Sequence, residues 1–216
     1  EGESIALIGA NGSGKSTFLK LLNGIIFPEK GSYYFNQEEI TEKRLNKSIQ
    51  SKEFHRKIGF VFQNSDTQLF CSTVYEEIAF GPRQMGFPEE KVNARVYSCL
   101  KMLNIEKIKH EPPYNLSGGE KKRVAIASVL SMNPDIITLD EPMNGIDPKG
   151  KNFLRELFIK LNASGKTIIC STHDFEYVHG MFKRAVVFSE HHKIIRDDDY
   201  YAIINDENFL VQNNIK

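Results

Sequence analysis

The chain has 216 residues, a length that suits one α/β domain with a substantial buried core. Its 28 basic and 28 acidic side chains cancel, so the composition does not favour a general nucleic-acid binder. No apolar run approaches the ~18 residues of a membrane span, no signal peptide is visible, and the three widely spaced cysteines (Cys71, Cys99 and Cys170) predict buried thiols in a reducing cytosol.

Apolar segments typical of strands alternate along the chain with segments of helical period. Strands are predicted at 4–8, 32–35, 57–62, 135–140, 166–171, 184–189 and 193–196, and helices at 15–23, 73–80, 88–103, 118–132 and 147–162. Segment 36–56 is polar without a strong period, which predicts an exposed loop with a short helix. Because the strands are apolar on both faces, the predicted fold class is α/β, with a largely parallel sheet flanked by helices.

The domain organisation follows from where strands are missing. Segment 65–132 carries predicted helices and no strand, so we expect a helical subdomain inserted into a single domain, whose core is formed by about 1–64 and 133–216. The chain begins at Glu1 rather than at Met, and a strand follows almost at once. We therefore expect one or two N-terminal strands to be missing from it.

Residues 9–16 read GANGSGKS, the pattern G-x-x-x-x-G-K-[ST], between a predicted strand and a predicted helix. Glycines let backbone N–H groups approach phosphate oxygens, and the positive end of the helix dipole points at the same place. We therefore predict a P-loop NTPase core in which Lys15 neutralises the β- and γ-phosphates and Ser16 offers its hydroxyl to Mg²⁺. The predicted nucleotide-binding residues are Gly9, Ala10, Asn11, Gly12, Ser13, Gly14, Lys15, Ser16 and Thr17.

Two carboxylates, Asp140 and Glu141, stand at the end of the apolar strand DIITLD. In a parallel sheet the carboxyl ends of the strands meet at one edge, where ligands bind. Asp140 is therefore expected in the Mg²⁺ shell, and Glu141 is expected to orient or deprotonate the water that attacks the γ-phosphate. Together with the phosphate loop, this pair predicts a nucleoside triphosphatase.

Residues 116–120 read LSGGE and have the S-x-x-E spacing of a capping box, which marks a helix start. Gly118 and Gly119 then occupy the first turn, although glycine costs about 1 kcal/mol relative to alanine in a helix. Without Cβ atoms, however, they let the backbone touch a phosphate closely. Because residues 9–16 already hold one nucleotide, we hypothesise that this second surface contacts a nucleotide held by another chain.

Six motifs in this order resemble the ATP-binding cassette (ABC) ATPases over essentially the whole chain. Besides GANGSGKS, LSGGE and IITLDE, they are Gln63 just after a predicted strand, Asp147 in MNGID, and His173 in STHDF. The resemblance implies an enzyme that hydrolyses ATP to ADP and phosphate, with ATP and Mg²⁺ as cofactors.

The same resemblance assigns roles to individual residues. The implied catalytic residues are Glu141, His173 and Gln63, and the implied metal contacts are Ser16, Gln63 and Asp140. A homodimer, or a heterodimer with a homologous ATPase, is also implied, with Asp147 in a dimer loop. In that dimer the residues that contact the other chain's nucleotide are Ser117, Gly118, Gly119 and Glu120.

Residues 61–82, VFQNSDTQLFCSTVYEEIAFGP, resemble a narrower subgroup, the energy-coupling-factor and cobalt/nickel uptake ATPases. This implies a peripheral subunit at the cytoplasmic face of the cell membrane, which powers import through a transmembrane coupling protein and a substrate-binding membrane component, with no nucleic-acid partner. We expect the coupling protein to dock near Gln63 and helix 73–80, where Glu76 and Glu77 offer charges to a basic segment. The solute stays open among cobalt, nickel and vitamins.

Two features depart from the family pattern. The family usually has Gln where this chain has Glu120, and no aromatic residue precedes the phosphate loop to stack on adenine. The pair His191-His192 is predicted as a solvated turn between strands. Two other functions are possible interpretations of the sequence: a soluble ABC ATPase of DNA repair or translation, which would usually carry tandem cassettes, coiled coils or basic inserts, and a nucleotide kinase, which leaves LSGGE unexplained.

Overall fold

A six-stranded sheet forms the centre of the structure, a computed structural model that describes residues 1–215. Its strands are β1 (Ser4–Gly9), β4 (Ile58–Val61), β5 (Ile136–Asp140), β6 (Thr167–Ser171), β7 (Arg184–Phe188) and β8 (Ile194–Asp199), while β2 (Tyr34–Phe35) and β3 (Glu38–Glu39) form a separate hairpin. The strand order is β4-β5-β6-β1-β7-β8, and all neighbours are parallel except the β7–β8 pair. The predicted largely parallel α/β fold is confirmed.

Helices connect and cover these strands. They are α1 (Lys15–Leu22), α2 (Glu42–Leu45), α3 (Ser48–Lys57), α4 (Val74–Gln84), α5 (Glu89–Met102), α6 (Gly118–Leu130), α7 (Pro148–Ala163), α8 (Tyr200–Ile204) and α9 (Glu207–Gln212), with single 3₁₀ turns at Ser65–Thr67, Glu106–Ile108 and Pro113–Asn115. Within residues 1–215, none of these helices has the length and apolarity needed to cross a membrane.

The strand order decides where the functional residues meet. Strands β5, β6 and β1 are neighbours, so their carboxyl ends, at Asp140, Ser171 and Gly9, lie at one edge of the sheet. The middle of β1 is completely buried, with Ala6, Leu7 and Ile8 at most 1% exposed. The polar edge is therefore joined directly to strands whose middle residues are packed in the apolar core.

The segment 65–132 contains α4, α5 and α6 and, among its residues, no strand. The helices pack on one another through buried side chains such as Ile78, Val96 and Ile126. These side chains belong to the same continuous apolar cluster as the sheet residues Ile137 and Leu139. The division into a core and a helical subdomain with boundaries near 65 and 132 stays a prediction.

Two sequence predictions were wrong in detail. Segment 36–56 is not mainly a loop: it holds β3, α2 and most of α3, which close over a small cluster of Ile40, Phe54 and Ile58. These few apolar residues are too widely spaced to produce a detectable period. Helix α4 also does not stop at 80 but continues through Pro82 to Gln84.

The C-terminal helices and the environment of one cysteine were not predicted from the sequence. Helices α8 and α9 follow β8, and Tyr200 and Leu210 anchor them in the main core. The three cysteines are free; Cys99 and Cys170 are buried as expected, but Cys71 is only partly so. Burial raises the pKa of the Cys99 thiol to about 11, which keeps it protonated and unreactive.

Candidate nucleotide-binding site

The phosphate loop lies between β1 and α1 and depends on glycine for its shape. Gly12 and Gly14 have φ values of +81° and +100°, in the left-handed region that favours glycine. A Cβ on Gly9 would lie 2.5 Å from the Phe188 carbonyl oxygen, so the start of the loop has no room for a side chain. No side chain caps α1, which leaves its first N–H groups free for a ligand such as phosphate.

Lys15, the first residue of α1, is 6% exposed and folds back over the loop. Its Nζ donates hydrogen bonds to the carbonyl oxygens of Gly9, at 2.7 Å, and Ala10, at 3.0 Å. Burial lowers the pKa of this ammonium, while the nearby charges of Glu141 and Asp140 act in the opposite direction. The loop thus contains one enclosed cation, where a phosphate chain would need it.

Asp140 accepts two hydroxyl hydrogen bonds on one carboxylate oxygen, although it is only 4% exposed. Ser16 Oγ donates to Oδ1 at 3.0 Å, and Ser171 Oγ donates to the same atom at 2.6 Å. A hydroxyl oxygen and a carboxylate oxygen side by side are hard donors of the kind that Mg²⁺ prefers, and Mg²⁺ commonly keeps its remaining ligands as water and substrate phosphate. Ser16 and Asp140 therefore fit the predicted metal, and within residues 1–215 Asp140 forms no ion pair with a lysine or arginine.

Glu141 is held in an unusual conformation at the mouth of the cleft. Its φ of 45° is rare outside glycine and costs backbone energy, a feature that concentrates at functional sites. Its N–H donates to both the carbonyl oxygen and the hydroxyl of Ser171, at 3.2 and 3.0 Å. Gln63 Nε2 donates to Glu141 Oε2 at 2.9 Å, and His173 Nδ1 lies 3.2 Å from Oε1. The three residues predicted to be catalytic are therefore in direct contact.

These groups surround a cleft of about 520 Å³, a size typical of ligand pockets. Its lining residues are Asn11, Gly12, Gly14, Lys15, Ser16, Thr17, Gln63, Glu141, Asn144 and His173. A larger cavity of about 730 Å³ lies elsewhere, beside α3, and contains none of the predicted site residues. Chemistry rather than volume therefore identifies the site.

Some of the predicted site residues do not line the cleft, and two residues of the site were not predicted. Gly9, Ala10, Ser13 and Asp140 are not among its lining residues. Gly9 and Ala10 hold Lys15 through their carbonyl groups, and Asp140 reaches the cleft through its hydrogen bond with Ser16. Sequence reasoning missed Ser171 and Asn144. For Ser171 a signal existed, because a polar residue ending an apolar strand lies at the ligand edge of a parallel sheet.

The LSGGE segment forms a second, separate surface at the start of α6. Ser117 is the N-cap and Glu120 completes the capping box that the spacing predicted. The Ser117 hydroxyl donates to Glu120 Oε2 at 2.6 Å, and the Ser117 N–H donates to the same oxygen at 2.9 Å. These hydrogen bonds lower the pKa of the Glu120 carboxyl group, the hydroxyl bond contributing most.

The two signature glycines are not required by the structure of the chain itself. Neither has a positive φ. A Cβ on Gly118 would meet nothing within 4 Å, and one on Gly119 would only touch Ile146 at 4.0 Å. An alanine would therefore fit at both positions and would favour the helix. Within residues 1–215, neither a positive φ nor a close contact requires glycine at these positions.

The signature surface and the predicted dimer loop lie side by side. They line a shallow pocket of about 230 Å³, whose residues include Ser117, Gly119, Arg123 and Asp147. Asp147 caps α7, since its Oδ1 accepts a hydrogen bond from the Gly150 N–H at 2.6 Å. In residues 1–215, the lining of this pocket and that of the nucleotide cleft have no residue in common.

The prediction that both Glu76 and Glu77 offer charges to a coupling protein is wrong for Glu77. Glu77 cannot accept a basic segment, because it is 3% exposed and its Oε2 already accepts the N–H groups of Phe70 and Cys71 at 2.9 and 2.7 Å. Glu76, by contrast, lies at the surface and pairs with Arg83. Beside these glutamates, a groove of about 270 Å³ is lined by the exposed rings of Phe70 and Phe80.

Comparison with known proteins identifies the family. Residues 1–144 match the family described as ABC transporter. A putative ABC transporter ATP-binding protein of Clostridium acetobutylicum is 68% identical over 215 residues, covering 100% of this chain and 89% of the relative. The nickel import ATP-binding protein LarO of Lactiplantibacillus plantarum is 44% identical over 196 residues, covering 91% of this chain and 81% of that protein.

A solved structure agrees with these relatives. The dimeric structure of a post-hydrolysis state of the ATP-binding cassette MJ0796, bound to ADP and Pi, is similar to this chain with a TM-score of 0.83. The two are 31% identical, and the match covers 92% of this chain and 86% of that one. With the phosphate loop, the paired carboxylates and the signature helix arranged as described, the conclusion is that this chain belongs to the ABC transporter family and is an ABC ATPase.

Proposed function

We propose that this chain is the ATP-hydrolysing subunit of an importer of the energy-coupling-factor or cobalt/nickel type. The observation that carries the proposal is the position of Glu141, held between Gln63 and His173 beside Asp140 and the phosphate loop. Such an arrangement suits phosphoryl transfer to water, in which positioning and charge neutralisation supply most of the catalysis.

In this proposal each residue of the cleft has a distinct task. Glu141 accepts a hydrogen bond from the attacking water and takes its proton as the water oxygen bonds to the γ-phosphorus. Gln63 and His173 hold its two carboxylate oxygens in orientation, and each oxygen keeps a lone pair for water. Ser16 and Asp140 would hold Mg²⁺, which supplies charge neutralisation on the phosphates when bound.

The second half of the proposal is a dimer of ATPase subunits. Ser117 and Glu120 cap the start of α6, and within residues 1–215 no close contact requires the glycines between them. A phosphate from a partner's nucleotide fits this surface, because bare backbone N–H groups and a positive helix end favour an anion. The partner is either a second copy or a homologous ATPase.

Transport requires a membrane partner, and the groove beside Phe70 and Phe80 is the proposed place for it. The groove lies between α4 and the strand β4, close to the loop that carries Gln63. A helical segment of a transmembrane coupling protein bound there would place this chain at the cytoplasmic face of the membrane. The soluble alternative, in DNA repair or translation, is not favoured, since the relatives are transporter subunits.

The solute is proposed to be a divalent nickel or cobalt ion, with a vitamin as the second candidate. The nickel import relative and the resemblance of residues 61–82 support the metal. The ATPase does not need to touch the solute, so none of the residues described above is assigned to it.

Reconstituted transport tests this function. The chain is co-purified with the membrane proteins encoded beside its gene, placed in vesicles, and assayed for ATP-dependent uptake of Ni²⁺, Co²⁺ and vitamins. We expect uptake of one solute class, lost in a Glu141→Gln complex of the same composition. Uptake that is independent of ATP, or ATPase activity stimulated by nucleic acid but not by the membrane proteins, would contradict the proposal.

A further inference from the structure

A buried lysine on α6 has no role in the mechanism above. Lys122 is 3% exposed, and its Nζ donates hydrogen bonds to the Gln63 carbonyl oxygen at 2.6 Å and to the Phe62 carbonyl oxygen at 3.3 Å. Among the residues that the structure describes, no carboxylate lies within ion-pair distance of it. Burying an ammonium group is costly unless its hydrogen bonds are satisfied, so these two carbonyl groups are important to its placement.

The charge of Lys122 belongs to the electrostatics of the cleft as well. Burial lowers its pKa, and the charges of Asp140 and Glu141 oppose that effect. The pKa of Lys15 shows the same balance of burial against the charges of Glu141 and Asp140. Two enclosed lysines, one from α1 and one from α6, therefore share the field of the same two carboxylates.

The loop that Lys122 contacts is joined to α6 at a second point. The side chain of Gln68 accepts a hydrogen bond from the Phe62 N–H at 3.1 Å and donates one to the Ala125 carbonyl oxygen at 2.9 Å. The first bond fixes the main chain of Phe62, directly after β4 and next to Gln63, and the second ties the Gln68 side chain to α6. The main chain at 62–63 is therefore held from α6, while the amide of Gln63 points to Glu141.

We infer that Lys122 is a positioning residue for ATP hydrolysis: it fixes the Gln63 main chain so that the Gln63 amide holds Glu141, and it joins the helix that begins at Ser117 to the cleft. This inference rests on the proposed function of Gln63 and Glu141. It gives a physical connection between the surface for the partner's nucleotide and the carboxylate in this chain's own cleft. Lys122 acts through Gln63 and touches no reacting atom.

The test uses the full chain and begins with Lys122→Met, which keeps the length of the side chain but removes its charge and its donors. We expect kcat to fall about tenfold, as is common when a residue behind a functional group is removed, with the KM for ATP within about twofold of the parent. Lys121→Met is the matched control, because Lys121 is the preceding residue on α6 and pairs with the exposed Asp66. Its kcat is expected to stay within about twofold.

A double-mutant cycle with Gln63→Ala separates positioning from general destabilisation. If Lys122 acts through Gln63, Lys122→Met causes no further loss of kcat in the Gln63→Ala background. The same tenfold loss in both backgrounds, or no loss in the first, overturns the inference. Lys122→Arg, which keeps charge and donors, is expected to recover at least part of the activity.

Two further measurements keep the result decisive. Glu141→Gln is assayed alongside: if it retains activity, the proposed function fails, whereas an inactive Glu141→Gln with a fully active Lys122→Met overturns only the inference. If Lys122→Met does not fold, Lys122→Gln, which keeps a donor without the charge, is taken through the same cycle and judged by the same two outcomes.

Discussion

The two surfaces of this chain that are proposed to face phosphate are built in opposite ways. The cleft is assembled from distant segments, and its polar groups are fixed by contacts between them, as Gln63 and His173 fix Glu141. The signature surface is a single helix start, whose polar side chains, Ser117 and Glu120, bond only to each other in the structure. The polar groups of the cleft are thus positioned by tertiary contacts, whereas those of the signature surface are positioned only by local contacts at one helix start.

This difference explains the glycines that open α6. In the phosphate loop, glycine is needed by the chain itself, because Gly12 and Gly14 have positive φ values and Gly9 has no room for a side chain. At Gly118 the chain would accept a Cβ freely. The first set is therefore explained by folding, whereas the second has its proposed explanation in a partner's nucleotide. Substitutions in the cleft and at the signature surface should therefore have different consequences.

The largest effect is expected at the cleft, from Glu141→Gln. If Glu141 acts as general base, turnover falls about 10²–10⁴-fold while ATP binding is retained. Because hydrolysis then no longer separates the subunits, the variant should form a stable dimer with ATP. Steady-state phosphate release and sedimentation velocity check the two results, with Glu156→Gln on α7 as the control carboxylate. Near-normal turnover would remove Glu141 from the mechanism.

Lys15→Ala should weaken nucleotide binding itself. It removes the enclosed cation of the loop, and a hydrogen bond to a charged phosphate contributes enough that ATP affinity should fall at least about tenfold. Isothermal titration gives the affinity directly. Lys20→Ala, further along the same helix, should bind ATP like the parent. An unchanged affinity in Lys15→Ala would contradict the assignment of the phosphate loop.

Gly118→Ala and Gly119→Ala should change stability and dimerisation in opposite directions. Each adds helix propensity, up to about 1 kcal/mol, so the melting temperature of the monomer should rise. Each also places a methyl group where a partner's phosphate would approach, so ATP-dependent dimerisation should weaken about tenfold. Both are measured in the Glu141→Gln background, by thermal melting and by equilibrium sedimentation.

Ser98→Ala on α5 is the control for that pair of variants. Ser98 is exposed on a helix away from the signature segment, so its replacement should raise helix stability slightly and leave dimerisation unchanged. If the glycine variants dimerise as well as this control does, the signature surface does not contact a partner's nucleotide closely.

Glu120→Gln should give the smallest effect and tests the charge of the cap. The carboxylate holds the Ser117 hydroxyl, so removing its charge should lower the melting temperature of the monomer by about 1–3 °C and should strengthen ATP-dependent dimerisation, since Ser117 is released and a negative charge is removed. Sizing across an ATP titration in the Glu141→Gln background checks the second effect. Unchanged or weaker dimerisation would disprove the electrostatic explanation.

The pH dependence gives this prediction a defined sign. The folded state lowers the pKa of Glu120 below its usual 4.5, so its contribution to stability is present above that pH. It is lost as the pH falls through the lowered pKa, because the carboxyl group is then protonated in both states. The difference in melting temperature between Glu120→Gln and the parent should therefore disappear in acid and be full at neutral pH.

Local patterns carried the sequence predictions that the structure confirmed. The capping box at Ser117, the helix predicted over 147–162 and the apolar strands of the sheet all depend on neighbours within a few positions of the chain. The same patterns failed where few apolar residues mark an element, as in α3, or where packing carries a helix through Gly81 and Pro82. A Cβ on Gly81 would lie 2.7 Å from the Met132 sulfur, a contact that sequence spacing does not reveal.

By itself the sequence determined which chemical groups the protein has, their order and the fold class that carries them, because periodicity, capping and the phosphate-loop pattern are local properties. Only the tertiary structure decided which of these groups meet. Strand order brings Gln63 and His173 to the two oxygens of Glu141. The packing of α4 and α6 turns Glu77 inward and places Lys122 against the Gln63 carbonyl group. Such contacts join residues far apart in the chain, and their geometry is set by how the sheet and helices pack.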